Sequence, residues 1–230
     1  MAEPAFSLCV YCGSKAGDQP EFAESAVQVG QWIGQHGGQL VYGGGRNGLM
    51  GIVANATLAA GGSVVGVIPR ALVEKEWAHT ECTELHIVET MHERKQLMAE
   101  RADAFLALPG GIGTFEEFYE VWTWRQLGYH NKPIGLLNLN GYYDTMLSFL
   151  NSVVTHDFMG PWQMDLIQTD TQVPKLLQHL VEAAGLERGS GPAVGVVDAG
   201  DHTQPALVLA HLLDPADPLV GVMLRMTDAS

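Results

Sequence analysis

A chain of 230 residues, 47% of them apolar, is long enough to bury the core of one α/β domain. Its formal net charge of −14 argues against nonspecific binding of DNA or RNA, because no basic excess exists to release counterions, but leaves room for a small phosphorylated ligand. The N-terminal stretch does not read as a signal peptide, no apolar run reaches the length of a membrane span, and three cysteines cannot build a disulfide framework, so the expected setting is a reducing cytoplasm.

Strand and helix patterns alternate almost from the start. FSLCVY (residues 6–11) reads as a buried strand ending at Gly13-Ser14, and residues 20–37 carry helical periodicity that stops at Gly37-Gly38. QLVY is a second strand that runs into GGGRNGLMG, followed by a helix over IVANATLAAGG. SVVGVIP is a third strand, and residues 70–84 lack a clear period and are expected to form a loop with a short helical turn. LHIVE, DAFLALP and KPIGLLN supply three further strands. Between and after them lie the helical stretches MHERKQLMAERA, TFEEFYEVWTWRQLG, YYDTMLSFLNSVVTHDF and VPKLLQHLVEAAG. Continuous apolar strands between amphipathic helices predict a parallel sheet covered on both faces, with ligands at the carboxyl ends of the strands. From about Leu186 the texture changes to short apolar runs among Gly, Ala, Pro and Asp, so the expected division is a domain over 1–185 and an extension over 186–230.

Cys9 and Cys12 form a C-x-x-C. On a strand, residues three apart face opposite sides, so the spacing favours two small buried residues over a redox or zinc pair. The histidines show no metal-ligand spacing.

Two glycine-rich stretches fall at strand ends. In GGGRNGLMG, Gly43, Gly45 and Gly48 satisfy G-x-G-x-x-G, a weak signal that a tight turn explains as well as a ligand does. In PGGIGTFEE, Gly110, Gly111 and Gly113 let the backbone approach a ligand, and Thr114 is placed to cap the following helix and to reach a phosphate oxygen. Glu116 and Glu117 follow in what reads as the first helical turn. The helix dipole accounts for acidic residues there, but not for placing two beside an anion cradle. A substrate with a phosphate and a reacting sugar resolves this. Cleaving a ribosyl–base bond builds positive charge on the ribose, which a carboxylate stabilises while it activates water. Arg94 and Lys95 in TMHERKQLM supply cations at the same sheet edge, although a solvated helix face would look similar.

PGGIGTFEE, MHERK and GGGRNGLMG together resemble the LOG ("lonely guy") family, whose signature is P-G-G-x-G-T-x-x-E; the likeness runs from VYCGS near residue 10 to about residue 185. Many members have been labelled lysine decarboxylases because of that motif. The resemblance implies a Rossmann-like three-layer α/β/α fold with a mainly parallel sheet. It also implies a cytokinin riboside 5′-monophosphate phosphoribohydrolase without metal or organic cofactor, acting as a homodimer with sites near the interface. It makes Arg94 and Glu117 the catalytic pair. Lys95, Gly110, Gly111, Gly113, Thr114 and Glu116 then shape the nucleotide site, with Gly44, Gly45 and Ser14 at neighbouring strand ends and Glu76 and Thr123 as further binding positions. The helix FYEVWTWRQLGY suits the dimer interface, although Trp122 and Trp124 read equally as core. The tail past residue 185 is longer than in compact members.

Two rival readings remain at this level. One is a nucleotide-binding carrier or sensor without hydrolase activity, since fold does not dictate function; the presence of both Arg94 and Glu117 favours the enzyme. The other takes the decarboxylase label literally and needs a pyridoxal phosphate Schiff base. Lys95 is the one lysine placed near the glycine loops, and its neighbour Arg94 suits a phosphate clamp better.

Overall fold

The apolar runs become the middle layer of a computed structural model that describes residues 3–75 and 77–186. In chain order the elements are β1 (Ser7–Tyr11), α1 (Pro20–Gln35), β2 (Gln39–Tyr42), α2 (Gly48–Ala59), β3 (Ser63–Pro69), α3 (Arg70–Val73), β4 (Glu84–Val88) and α4 (Met91–Arg101). Then come β5 (Ala104–Ala107), α5 (Ile112–Gln126), β6 (Ile134–Leu137), α6 (Asp144–Thr155), α7 (Pro161–Met164), β7 (Ile167–Asp170) and α8 (Val173–Ala183). The strands form one sheet in the order β4-β3-β2-β1-β5-β6-β7, and every pairing is parallel.

The two-residue period of each strand sorts side chains between two cores. Leu8, Val10, Leu40, Tyr42 and Leu106 face a layer built from α1, α2 and α8. Cys9, Tyr11, Val41, Val67 and Phe105 face α4, α5 and α6. The result is the Rossmann-like α/β/α sandwich that continuous apolar strands require. Cys9 and Cys12 are buried in opposite cores, and burial pushes both thiols far up, so the pair is packing rather than redox chemistry.

This strand order decides where a ligand can sit. The chain winds outward from β1 to β4, then returns through α4 to place β5 on the other side of β1. Loops leaving β1 and β5 diverge toward opposite faces and open a crevice at the carboxyl ends.

Three differences from the sequence reading stand out. β7 and α7 were not expected; IQTD is short, half polar and hydrogen-bonded to β6 alone at the sheet edge, so it lacks an apolar strand's signature. Helix α5 begins at Ile112, two residues before Thr114. The Arg70 region does contain its single helical turn, but residues 77–79 pair with the turn after β2 instead of looping freely. Trp122 is buried, with its indole N–H donating to the Gln163 carbonyl at 2.9 Å, and the half-buried Trp124 packs against the same core. Glu76 and, from residue 187 on, the 186–230 extension lie outside the described residues.

Candidate active site

Backbone hydrogen bonds draw three strand-end loops together. Gly13 N–H donates to the Pro109 carbonyl at 3.1 Å, and Leu49 N–H donates to the Gly13 carbonyl at 3.0 Å. Two tyrosines ahead of α6 brace the turn after β5: the Tyr142 hydroxyl donates to Gly110 O and the Tyr143 hydroxyl to Leu108 O, both at 2.6 Å. Around these loops lies a cleft of about 570 Å³, lined by residues 13–18 and 109–111 with Phe22, Leu49 and Tyr142. It sits where β1 and β5 part, as the strand order requires.

The turn itself depends on glycine at one point. A Cβ on Gly110 would run into Thr114 Oγ1 and come within 2.9 Å of the Gly13 nitrogen. At Gly111 and Gly113 a Cβ would meet nothing within 4 Å, so that side of the turn is open. Gly111, not Thr114, is the N-cap of α5: its carbonyl accepts from Phe115 N–H at 3.1 Å, and Thr114 is buried three positions into the helix. Glu116 and Glu117 are therefore the fifth and sixth helical residues. The helix-dipole benefit fades beyond the first turn, so it no longer accounts for them.

Arg94 and Glu117 meet across α4 and α5. Thr90 caps α4 by accepting from Glu93 N–H at 3.1 Å, which sets the helix start and aims Arg94 inward. The guanidinium is buried; Nε donates to the Val67 carbonyl at 3.1 Å and Nη2 to the Gly43 carbonyl at 3.3 Å. Gly43 must be glycine, because a Cβ there would occupy the guanidinium's place. Two strand-end carbonyls thus fix the plane of the group, and Nη1 lies 3.6 Å from Glu117 Oε1. Glu117 is 12% exposed. Burial pushes its carboxyl up, Arg94 pulls it down and Glu116 pushes it up again, leaving it at about 7. At neutral pH this group can both hold and release a proton.

Lys95 behaves differently. Its ammonium is paired with Glu116 and lies 3.0 Å from Glu120 Oε1, and the side chain is 9% exposed. Burial lowers its proton affinity, but the two carboxylates more than offset this, and the net shift is upward. A doubly paired ammonium is a poor imine-forming nucleophile, which counts against a Schiff base at this position. Lys95 is instead a strut between α4 and α5. Glu120 was missed by sequence reasoning, although it stands one turn after Glu116 on the same helical face. The carbonyls of Val67 and Gly43 have no sequence signal at all.

The other expected positions divide. Ser14, Gly110 and Gly111 line the cleft, and Gly113 and Thr114 stand in the first turn of α5. Gly44 and Gly45 are buried in the turn that carries the Arg94 acceptor; Gly44 takes a φ of +69°. Thr123 is exposed on α5, one turn beyond Glu120. Arg94 and Glu117 do not line the cleft. Residues 109–111 do, and the helix they open carries Glu117. Among the described residues no group of three or more His, Cys, Asp or Glu side chains could hold a metal ion.

The family model described as possible lysine decarboxylase matches residues 50–180. The chain is 49% identical over 173 residues to the probable cytokinin riboside 5′-monophosphate phosphoribohydrolase LOGL1 of Oryza sativa subsp. japonica, covering 75% of this chain and 78% of that protein. It is 45% identical over 175 residues to the cytokinin riboside 5′-monophosphate phosphoribohydrolase LOG7 of Arabidopsis thaliana, covering 76% and 81%. The chain belongs to the LOG family. Solved structures similar to this LOG-family chain include the molybdenum cofactor carrier protein from Chlamydomonas reinhardtii, at 18% identity and a TM-score of 0.60 over 80% of this chain and 99% of that one. The molybdenum cofactor binding protein from Rippkaea orientalis matches at 20% identity and a TM-score of 0.59 over 80% and 98%. At such identities the likeness is one of fold.

Proposed function

We propose that this LOG-family protein hydrolyses the N-glycosidic bond of adenine-type nucleoside 5′-monophosphates, cytokinin nucleotides among them, giving free base and ribose 5-phosphate. The observation that carries the reading is the buried Glu117 carboxyl, held at about 7 beside Arg94 and on the helix opened by the glycine turn. The names of the relatives point to the same substrate class.

In this reading the N–H groups at the start of α5 and the Thr114 hydroxyl hold the phosphate. The ribose then reaches toward Glu117. As the C1′–N9 bond lengthens, its electron pair leaves with the base and positive charge builds on the ribose ring. The Glu117 carboxylate stabilises that charge and takes a proton from the attacking water, whose oxygen bonds to C1′. The departing base takes up a proton from solvent at a ring nitrogen, and Glu117 releases the proton it took from the water back to solvent, so the cycle closes. Arg94 keeps part of the Glu117 population ionised and offers Nη1 to a ribose hydroxyl or phosphate oxygen. This chemistry calls for no metal and no organic cofactor.

The same proposal includes a cytoplasmic homodimer. Exposed Ile112, Leu127 and Tyr129, on α5 and just beyond it, provide apolar surface for a second copy. The cysteines are unpaired, as a reducing compartment would keep them. Among the described residues no helix is long and apolar enough to cross a membrane.

Chromatography of incubations with AMP and with isopentenyladenosine 5′-monophosphate tests the reaction, with the riboside and Glu117→Gln as controls. Free base from the monophosphates alone, and only with the native protein, is the expected result. Nucleotide binding without base release from any substrate would make the protein a carrier or sensor instead.

A further inference from the structure

Residues 77–79 form a strap beside the turn that holds Arg94. Gly45 and Ala78 make an isolated antiparallel bridge. Arg46 N–H donates to the Trp77 carbonyl at 3.0 Å, and His79 N–H donates to the Gly44 carbonyl at 2.9 Å. The adjacent carbonyl, that of Gly43, accepts from Arg94 Nη2. The strap therefore holds one peptide of the turn while the next peptide holds the guanidinium.

One side chain anchors the strap. His79 is 6% exposed, and its Nε2 lies 2.9 Å from Asn55 Oδ1 on α2. Its Nδ1 lies 3.6 Å from Cys82 Sγ, which in turn lies 3.4 Å from the Tyr42 hydroxyl on β2. An amide oxygen only accepts, so Nε2 carries the proton and Nδ1 accepts from the thiol. The same order of thiol, imidazole and amide activates a nucleophile in cysteine hydrolases. Here burial pushes the Cys82 thiol up, and it donates rather than attacks. The network is an anchor, and it ends one peptide away from the Arg94 acceptor.

We infer that His79 is a positioning residue for the reaction: by tying the 77–79 strap to α2 and β2, it keeps the Gly43 carbonyl turned toward Arg94 and Arg94 Nη1 turned toward Glu117. The inference rests on the proposed hydrolase reading for its kinetic consequence, but its structural claim is separately measurable. Losing the imidazole frees the strap, lets the Gly43 peptide rotate and removes one of the two carbonyls that orient the guanidinium. The N–H groups and the Thr114 hydroxyl proposed to hold the phosphate belong to α5 and not to this turn, so the loss is expected to fall on kcat more than on KM.

The test compares native protein, His79→Ala, His79→Gln and Arg94→Met, and adds the double variant His79→Ala with Arg94→Met. Gln places an amide nitrogen the same number of bonds from Cα as Nε2 and can still donate to Asn55. His79→Ala is expected to lower kcat about tenfold or more with KM within about threefold, as small misplacements of a catalytic group do. His79→Gln should recover most of that loss, and His79→Ala should cost nothing further once Arg94 is Met. A loss of equal size in both backgrounds, or one confined to KM, would overturn the inference. Titration of the Glu117 carboxyl by NMR gives a readout independent of turnover. It should move up in His79→Ala and in Arg94→Met, because both weaken the cation beside it. An unmoved titration in folded His79→Ala overturns the positioning claim even if native protein releases base. An upward shift with no base release from native protein would uphold the positioning while removing the hydrolase reading.

Discussion

Arg94 and Lys95 are neighbours on α4, and Glu116 and Glu117 are neighbours on α5, yet the two cross-helix pairs they form have opposite characters. Lys95 bonds to Glu116 and Glu120, and Glu116 is 50% exposed, so its charges are compensated and partly hydrated. Glu117 is almost fully enclosed, and its nearest cationic nitrogen stands 3.6 Å away, too far for a good hydrogen bond. A satisfied pair resists change. A carboxylate buried with incomplete compensation is unstable in the free protein, and bound substrate or developing positive charge can relieve it. One residue of offset, about 100° around each helix, separates the strut from the reactive group.

The largest effect should come from breaking the reactive half. Glu117→Gln is expected to reduce turnover on the order of 10²–10⁴-fold, the usual contribution of a positioned acid or base. In native protein kcat/KM should rise as pH passes through about 7, because the ionised form does the work. A pH-independent rate, or a Gln variant of native activity, would move the catalytic role elsewhere.

The same substitution should show the opposite sign in stability. Folding raises the Glu117 carboxyl from 4.5 to about 7. Below pH 4.5 it is protonated in both the folded and the unfolded chain and costs nothing. Between 4.5 and 7 the unfolded chain ionises first, and the fold progressively loses stability. Above 7 the cost is complete, about 3 kcal/mol by linkage. Glu117→Gln removes this dependence, so urea unfolding should show the variant gaining on native protein by about that amount between pH 4 and pH 8.

The strut should respond more weakly. Lys95→Met leaves Glu116 and Glu120 without their shared cation and is expected to lower stability by about 1–2 kcal/mol, discounted because both carboxylates retain some water. Its effect on the Glu117-dependent pH limb should be minor. Glu116→Gln is the smallest change. With Glu120 still on Lys95, unfolding midpoints should move by no more than about 0.5 kcal/mol. If Glu116 also contacts substrate, as the family resemblance implies, the variant shows a raised KM on an unchanged fold. A stability loss as large as that of Lys95→Met would erase the contrast between the pairs.

Much of this was legible in the sequence. The six strands read from apolar runs are all present. β1, β2, β3, β5 and β6 are buried on both faces, which leaves a run that few other structures need, and the half-exposed edge strand β4 kept enough apolar residues to be read with them. The edge strand IQTD was not legible for the converse reason. The start of α5 was misplaced because Gly111 and Gly113 look like helix breakers, whereas Gly111 is its cap and Gly113 lies inside its first turn. The strap at residues 77–79 was read as loop, because its bonds are backbone bonds to a turn 33 residues earlier. Backbone partners leave no trace in side-chain pattern.

By itself the sequence determined the layered α/β order, the glycine turns at strand ends and the charged residues near them. Periodicity and glycine placement are local properties of a chain. The tertiary structure decided which cation faces which carboxylate, that Glu117 and not Glu116 is stripped of water, and that Gly43 and Val67 hold Arg94 in place. Those outcomes depend on helical phase and on desolvation by strands far away in the chain, and both come into being only when α4 and α5 pack across the sheet ends.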